Sequence, residues 1–153
     1  MKFSDPNNEL RPQPLRPPPH INNSPTTTGK KALAIAQAGP DYDPALYASK
    51  VDAAIASAKG KTMVFSWSGC PFCKKAKALL DSKGAVYTAL ELDQMDDGQK
   101  YRAALAERTG RTSMPNIFIN GVGIGGFGDG TPGLKPLSDS GELDGKLKAA
   151  GAL

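Results

Sequence analysis

The chain has 153 residues, 39% hydrophobic and 22% charged, with a net charge of +4. That length suits one domain with a tail, and the composition is that of a soluble domain: no apolar run approaches the roughly 18 residues a membrane helix requires. The charge excess sits at the start: Lys2, Arg11, Arg16, Lys30 and Lys31 against Asp5 and Glu9 leave residues 1–40 at +3 and the remainder at +1. An overall pI near 9.1 would ordinarily suggest nucleic-acid binding, but the nearly neutral folded part argues against it.

Residues 1–40 hold eight of the thirteen prolines, among them Pro17-Pro18-Pro19, with Asn, Ser and Thr filling much of the rest. Such a stretch has too little apolar surface to offset its ordering entropy and reads as a disordered tail. Pro17–Pro19 favours a local polyproline II conformation; the plainer role is a linker or the remnant of a targeting segment. Lys30 to Ala38 is Ala-rich, a transient helix expected to stay outside the core. No secretory signal is evident over Met1 to His20. The expected location is the cytoplasm, with an organelle such as the plastid stroma as the alternative if the tail is a targeting remnant.

From Asp41 onward elements follow one another closely, and the domain is placed at 41–153. Asp43-Pro44 is an N-cap followed by proline at the first helical position. Tyr47, Val51, Ala54, Ile55 and Ala58 recur at helical spacing up to Gly60. Thr62 to Trp67 reads as a buried strand. Cys70-Pro71 opens a second helix with Phe72, Ala76, Leu79 and Leu80 inward. Val86, Thr88, Leu90 and Leu92 alternate as a second strand. Asp96 is the expected cap of a third helix carrying Tyr101, Ala104, Leu105 and Arg108, closed by Gly110. Ile117 to Ile119 form a strand that turns at Asn120-Gly121, a strong hairpin signal, into Val122 to Ile124. A glycine-rich turn leads to a last helix with Leu143, Leu147 and Ala150. The expected fold is α/β, a four-stranded mixed sheet with helices on both faces.

Cys70 and Cys73 are the only cysteines and His20 the only histidine, too few for a structural zinc site or a disulfide scaffold; no metal is expected. Cys70-Pro71-Phe72-Cys73 follows a strand and opens a helix. There, unpaired N–H groups and the positive end of the helix dipole favour a thiolate, the nucleophilic form of cysteine. Lys74, Lys75 and Lys77 add positive charge, and Cys73 lies one turn on, able to attack a mixed disulfide formed on Cys70. These are the candidate catalytic residues. Gly121-Val122-Gly123-Ile124-Gly125-Gly126 satisfies GxGxxG, but the 27 residues after Gly126 are too few for a dinucleotide-binding unit.

From Asp43 to Leu153 the chain resembles the glutaredoxin family, within the thioredoxin-like fold. The resemblance rests on Phe65-Ser66, Cys70-Pro71-Phe72-Cys73, Ser113-Met114-Pro115 and Ile124-Gly125-Gly126-Phe127-Gly128-Asp129. It implies that Pro115 is cis and lies beside the CxxC, that Cys70 is the nucleophile and that Cys73 resolves. It further implies that glutathione, as reductant and co-substrate, pairs its cysteinyl unit with the Met114 backbone. The γ-glutamyl end would be held at Phe127, Gly128 and Asp129, and the glycyl carboxylate by Arg111.

Two features depart from the family. Trp67 stands where most members have a Lys that contacts the glycyl carboxylate, and it is either core packing at the strand end or a changed groove. The link from Gly128 to Leu137 is also longer than usual. The resemblance implies a monomeric enzyme that reduces protein–glutathione mixed disulfides and protein disulfides, acting on neither nucleic acid nor membrane. A carrier of a glutathione-ligated iron–sulfur cluster is the alternative, which Pro71 and the presence of Cys73 disfavour.

Overall fold

A computed structural model describes residues 27–153. It begins with helix α1 (Thr27–Ala38), so the expectation of a disordered tail does not hold from Thr27 onward; Pro17–Pro19 and the rest of the tail lie outside the described residues. The segment is rich in good helix formers, Gly39 ends it at φ 89°, and Ala34 and Ala38 are buried where α1 lies on helix α4 (Gly98–Thr109). Alanine buries little area, but it lets two helices approach closely. A stripe of two alanines therefore docks a helix that carries little apolar signal.

Helix α2 (Pro44–Ser57) starts as expected: the Asp43 carboxylate accepts from the N–H groups of Ala45 and Leu46 at 3.0 and 3.1 Å. Its buried face is Tyr47, Val51 and Ile55. Strand β1 (Thr62–Ser66) is buried throughout and stops one residue short of Trp67. Helix α3 (Pro71–Ser82) follows, then strand β2 (Thr88–Glu91), shorter at both ends than the alternation suggested. Val86 precedes it, and Leu92 lies in a single 3-10 turn, buried.

Asp97, not Asp96, stands at the N-cap of α4, and its side chain makes no capping bond. It accepts the Tyr47 hydroxyl instead, at 3.0 Å. Strands β3 (Asn116–Ile119) and β4 (Val122–Gly125) are joined at Asn120 and Gly121, whose φ values of 52° and 78° are those of a type I′ turn. The glycine-rich segment then carries an element the sequence did not announce, helix α5 (Leu134–Asp139), which buries Leu134 and Leu137. Pro136 is tolerated in its first turn, where backbone N–H groups have no helical partner. Helix α6 (Glu142–Ala150) buries Leu143, Leu147 and Ala150, as expected.

The sheet order is β2-β1-β3-β4, with β1 parallel to β2 and antiparallel to β3, and β4 antiparallel to β3. This is the four-stranded mixed sheet of the thioredoxin-like fold. Alternation along the strands sends Met63, Phe65 and Phe118 to one face, where α2 and α4 cover them. Val64, Ile117, Ile119 and Ile124 go to the other, under α3, α5 and α6. Among the described residues no helix is long and apolar enough to cross a membrane.

Candidate active site

Cys70 is the N-cap of α3, with Pro71 at the first helical position. Its backbone N–H donates to the Trp67 carbonyl at 3.1 Å. Its Sγ accepts the Cys73 N–H at 3.4 Å and itself lies 3.6 Å from the Met114 carbonyl oxygen, a sulfur-length hydrogen bond. The sulfur thus sits between an otherwise unpaired helix-start donor and the loop before β3. The peptide bond between Met114 and Pro115 is cis.

The two cysteines, both free, are not equivalent. Cys70 is partly exposed, whereas Cys73 is buried in the same cluster as Phe65 and Met114. Burial pushes the Cys73 thiol up to about 11, with a hydrogen bond to the Trp67 backbone offsetting part of the effect. At neutral pH Cys73 is therefore a protonated thiol held beneath Cys70, and Cys70 is the sulfur an incoming disulfide meets first.

Of the three lysines expected to add positive charge, Lys77 is paired with Glu91, and Lys75 lies over the Phe72 ring, 5.3 Å from its centre. Phe72, expected on the inward face of the helix, is instead 56% exposed and lines the groove that Met114 borders. Asp93 holds the loop before Cys70 from below, accepting both the backbone N–H and the hydroxyl of Ser68. Those two bonds keep its carboxyl below the usual carboxylate range.

A groove of about 400 Å³ opens beside this sulfur, lined by Phe72, Arg111, Ser113, Met114, Pro115, Gly128 and Asp129. Its volume is in the range of small-ligand clefts. Met114 precedes β3 and enters no ladder pair, so an extended ligand has backbone to pair with. At the far end, Gly126 N–H donates to the Asp129 carbonyl at 2.8 Å and closes a tight turn. The N–H groups of Phe127 and Gly128 in that turn make no backbone bond within the described residues, and successive N–H groups of this kind form an anion-binding concavity. The Phe127 side chain packs against the aliphatic cluster behind, and of the three residues expected to hold the γ-glutamyl end only Gly128 and Asp129 line the groove.

Arg111 and Asp129, assigned by resemblance to opposite ends of a ligand, are paired with each other. The guanidinium donates to both carboxylate oxygens, at 3.2 and 3.0 Å, and its Nε donates to the Pro115 carbonyl at 3.1 Å. This hydrogen-bonded pairing holds the Asp129 carboxyl below its usual range. Gly126 lies directly beneath: a Cβ there would fall 2.1 Å from an Arg111 nitrogen and 2.7 Å from an Asp129 oxygen. Arg111 also lines a second cavity, of about 610 Å³, between α4 and the glycines of β4. Neither cysteine lines this cavity or the groove beside Met114, and Arg111 lines both.

Trp67 is half-buried against the cluster that holds Cys73, and the Arg102 guanidinium lies over its ring, 5.5 Å from the centre. Sequence reasoning passed over Arg102, Asp93 and Ser68. A surface arginine on a helix and a Ser–Asp pair separated by 25 residues carry no local signal; only the tertiary fold brings them to the site.

Residues 62–124 match the family model described as Glutaredoxin. Glutaredoxin-C6 of Oryza sativa subsp. japonica is 43% identical over 96 residues, spanning 63% of this chain and 82% of that protein. Among solved structures, a buckwheat glutaredoxin–glutathione complex superposes with a TM-score of 0.68 at 33% identity, covering 75% of this chain and 99% of that one. A wheat glutaredoxin gives 0.64 at 42% identity, covering 70% and 95%. With a relative 43% identical covered over 82% of its length and two inequivalent cysteines at a helix start, the chain belongs to the glutaredoxin family of thiol–disulfide oxidoreductases.

Proposed function

We propose that the protein uses glutathione to reduce protein–glutathione mixed disulfides and protein disulfides through Cys70 and Cys73. The observation that carries this reading is the asymmetry of the pair. The partly exposed Cys70 sulfur lies against the Met114 carbonyl at the mouth of a groove, with Cys73 protonated and buried beneath it. A buckwheat relative is known as a complex with glutathione. The groove here offers Met114 backbone outside the sheet ladder and one charge of each sign at Arg111 and Asp129, and the turn at its end has N–H groups at Phe127 and Gly128 with no backbone bond among the described residues.

The chemistry is thiol–disulfide exchange. Cys70, deprotonated, attacks the glutathione sulfur of a mixed disulfide; the protein thiolate leaves and takes up a proton, and glutathione remains on Cys70. A second glutathione thiolate then attacks that disulfide, releasing oxidised glutathione and the Cys70 thiolate. On a protein disulfide, the Cys70 thiolate attacks one sulfur and the other leaves as a thiolate that takes up a proton; Cys73 then gives up its proton and attacks the Cys70 sulfur of that mixed disulfide. The target leaves reduced, and a Cys70–Cys73 disulfide forms that two glutathiones reduce in turn.

The test is a glutathione-coupled assay on a glutathionylated peptide with wild type, Cys70→Ser and Cys73→Ser. Cys70→Ser should abolish turnover, because nothing replaces the attacking sulfur. Cys73→Ser should keep much of it, because glutathione itself resolves the intermediate. Equal loss in both variants would overturn the glutathione route in favour of a strictly dithiol one.

A further inference from the structure

Two loops make the thiol site, and one side chain from elsewhere holds both. The first runs from Trp67 to Cys70 and presents the reactive sulfur; the second runs from Gly110 to Pro115 and presents the Met114 carbonyl. Arg102, on α4, donates from Nε to the Thr112 carbonyl of the second loop at 2.8 Å. The same guanidinium lies over the ring of Trp67 in the first, at 5.5 Å. Its remaining contact is to α1, where Nη1 donates to the Gln37 side-chain oxygen at 2.6 Å. A planar guanidinium can hold three such partners at once because its N–H groups point in fixed directions while its face stays free for an aromatic ring.

We propose that Arg102 is a positioning residue that sets the separation of the Cys70 loop from the Met114–Pro115 loop, and that α1, through Gln37, holds Arg102 in that pose. Every contact needed lies along one path. Trp67 accepts the Cys70 backbone N–H through its carbonyl, and Thr112 stands two residues before Met114. A shift of the guanidinium therefore moves both sides of the gap in which a mixed disulfide must lie. Arg102 touches neither sulfur, so its loss should weaken substrate binding more than the exchange step. The docked position of α1, with Ala34 and Ala38 buried on α4, thereby becomes part of the support of the site.

This inference rests on the function proposed above, and the experiment separates the two. Trp67 is the chain's one tryptophan, so intrinsic fluorescence reports on the Arg102 contact without any turnover. Full-length wild type, Arg102→Ala, Arg102→Lys and Gln37→Ala would be compared by tryptophan emission and by KM and kcat on a glutathionylated peptide. Arg102→Ala should shift Trp67 emission to longer wavelength and raise KM about five- to tenfold, less than the more than about tenfold of a directly lost charge-assisted hydrogen bond because Arg102 acts through the loops, with kcat nearly kept. Arg102→Lys keeps a cation near the ring but cannot bond Thr112 and Gln37 together, so it should restore emission more than KM. Gln37→Ala, an exposed position that cannot unfold the domain, should raise KM by about twofold to threefold, as loss of a single hydrogen bond would. Unchanged emission and KM in Arg102→Ala, or full rescue of KM by Arg102→Lys, would overturn the positioning role. An effect of Arg102→Ala with none of Gln37→Ala would overturn the link to α1. If wild type itself fails to turn over the peptide, the functional reading falls, and the emission data alone decide whether Arg102 holds Trp67.

Discussion

The two faces of the sheet are built from different materials. Under α3, α5 and α6 the buried core is aliphatic, Val64, Ala76, Leu80, Ile117, Ile119, Ile124, Leu134, Leu137, Leu143 and Leu147 among it, with Tyr87 and Phe127 at its margin. Under α2 and α4 the core mixes aromatic rings and sulfur: Tyr47, Phe65, Phe118, Met63, Met114 and Cys73, with Trp67, Cys70 and Tyr101 at its margin. Polar tips from this second face are tied to charges around it, Tyr42 to Glu107, Tyr47 to Asp97, and Arg108 to Asp52. An aliphatic face needs only to be filled, whereas a face that ends in a reactive thiol needs groups that fix direction. The site lies on the margin of the directional face and uses the aliphatic one as its foundation.

The comparison is sharpened first by cutting into the foundation. Leu147 is fully buried among aliphatic neighbours, and Leu147→Ala should cost about 2–5 kcal/mol, the usual range for a large-to-small change in a packed core. A urea titration would read this as a lower midpoint at unchanged slope. The KM on a glutathionylated peptide, taken at a temperature where the variant is folded, should stay at the wild-type value. A raised KM would mean the aliphatic face shapes the groove and the division of labour is false.

The outer layer of the other face comes next. Ala34 is fully buried where α1 meets α4, and Ala34→Glu forces a carboxylate into that contact. Undocking limits the damage to about 1–3 kcal/mol, the range of ordinary destabilising substitutions. Unlike Leu147→Ala, this variant should also move Trp67 emission, since α1 carries the Gln37 partner of Arg102. Stability lost with emission unmoved would show α1 to be packing alone.

The contrast between the faces also explains what could be read from the chain alone. The aliphatic face announces itself through apolar pattern: Leu143, Leu147 and Ala150 at helical spacing on α6, and the short apolar run that holds Val64 on β1. The CxxC at a strand–helix junction and the Asn120-Gly121 turn were legible too, because each acts through its immediate neighbours; Pro115 was legible only through the resemblance. Helix α1 was legible only as a transient helix over Lys30 to Ala38 outside the core; its docking was not, because two alanines bury little surface and the segment follows a Pro-rich stretch. Helix α5 was hidden by Pro132, Gly133 and Pro136, read as punctuation although Pro136 falls where a helix tolerates it. The links that hold the site, Arg102 to Thr112, Asp93 to Ser68 and Arg111 to Asp129, join charged residues across different elements. Charge spacing in a sequence does not say which partner a side chain will meet.

A smaller perturbation tests the groove without touching either core. In Gly126→Ala the added methyl would meet the Arg111 guanidinium and the Asp129 carboxylate well inside contact distance. The end of the arginine side chain can give way more easily than backbone, so the fold should hold, with a change in the urea midpoint near the limit of measurement. The displaced guanidinium should raise KM by about threefold to tenfold, at most roughly 1.4 kcal/mol. A KM at the wild-type value would mean that the Arg111–Asp129 pair does not shape the groove.

The smallest effect should come from Asp129→Asn, and its pH dependence has a definite sign. Arg111 holds the Asp129 carboxyl below its ordinary value, so the folded state favours the ionised form. The pair's contribution to stability is therefore complete above about pH 5 and fades only as the pH falls below the roughly 3.9 of a free aspartate, toward the depressed folded value. The carboxylate side chain is 75% exposed, and solvent and salt screen it, which keeps the contribution under about 1 kcal/mol. Wild type and Asp129→Asn should thus differ slightly and by a constant amount between about pH 5 and 8, with the curves converging below about pH 4. Raising the salt should narrow the gap further. A difference several times larger, or one that widened toward acid, would place Asp129 among the groups that hold the fold. The separation between a face that stabilises and a margin that recognises would then fail at the residue where it is drawn most sharply.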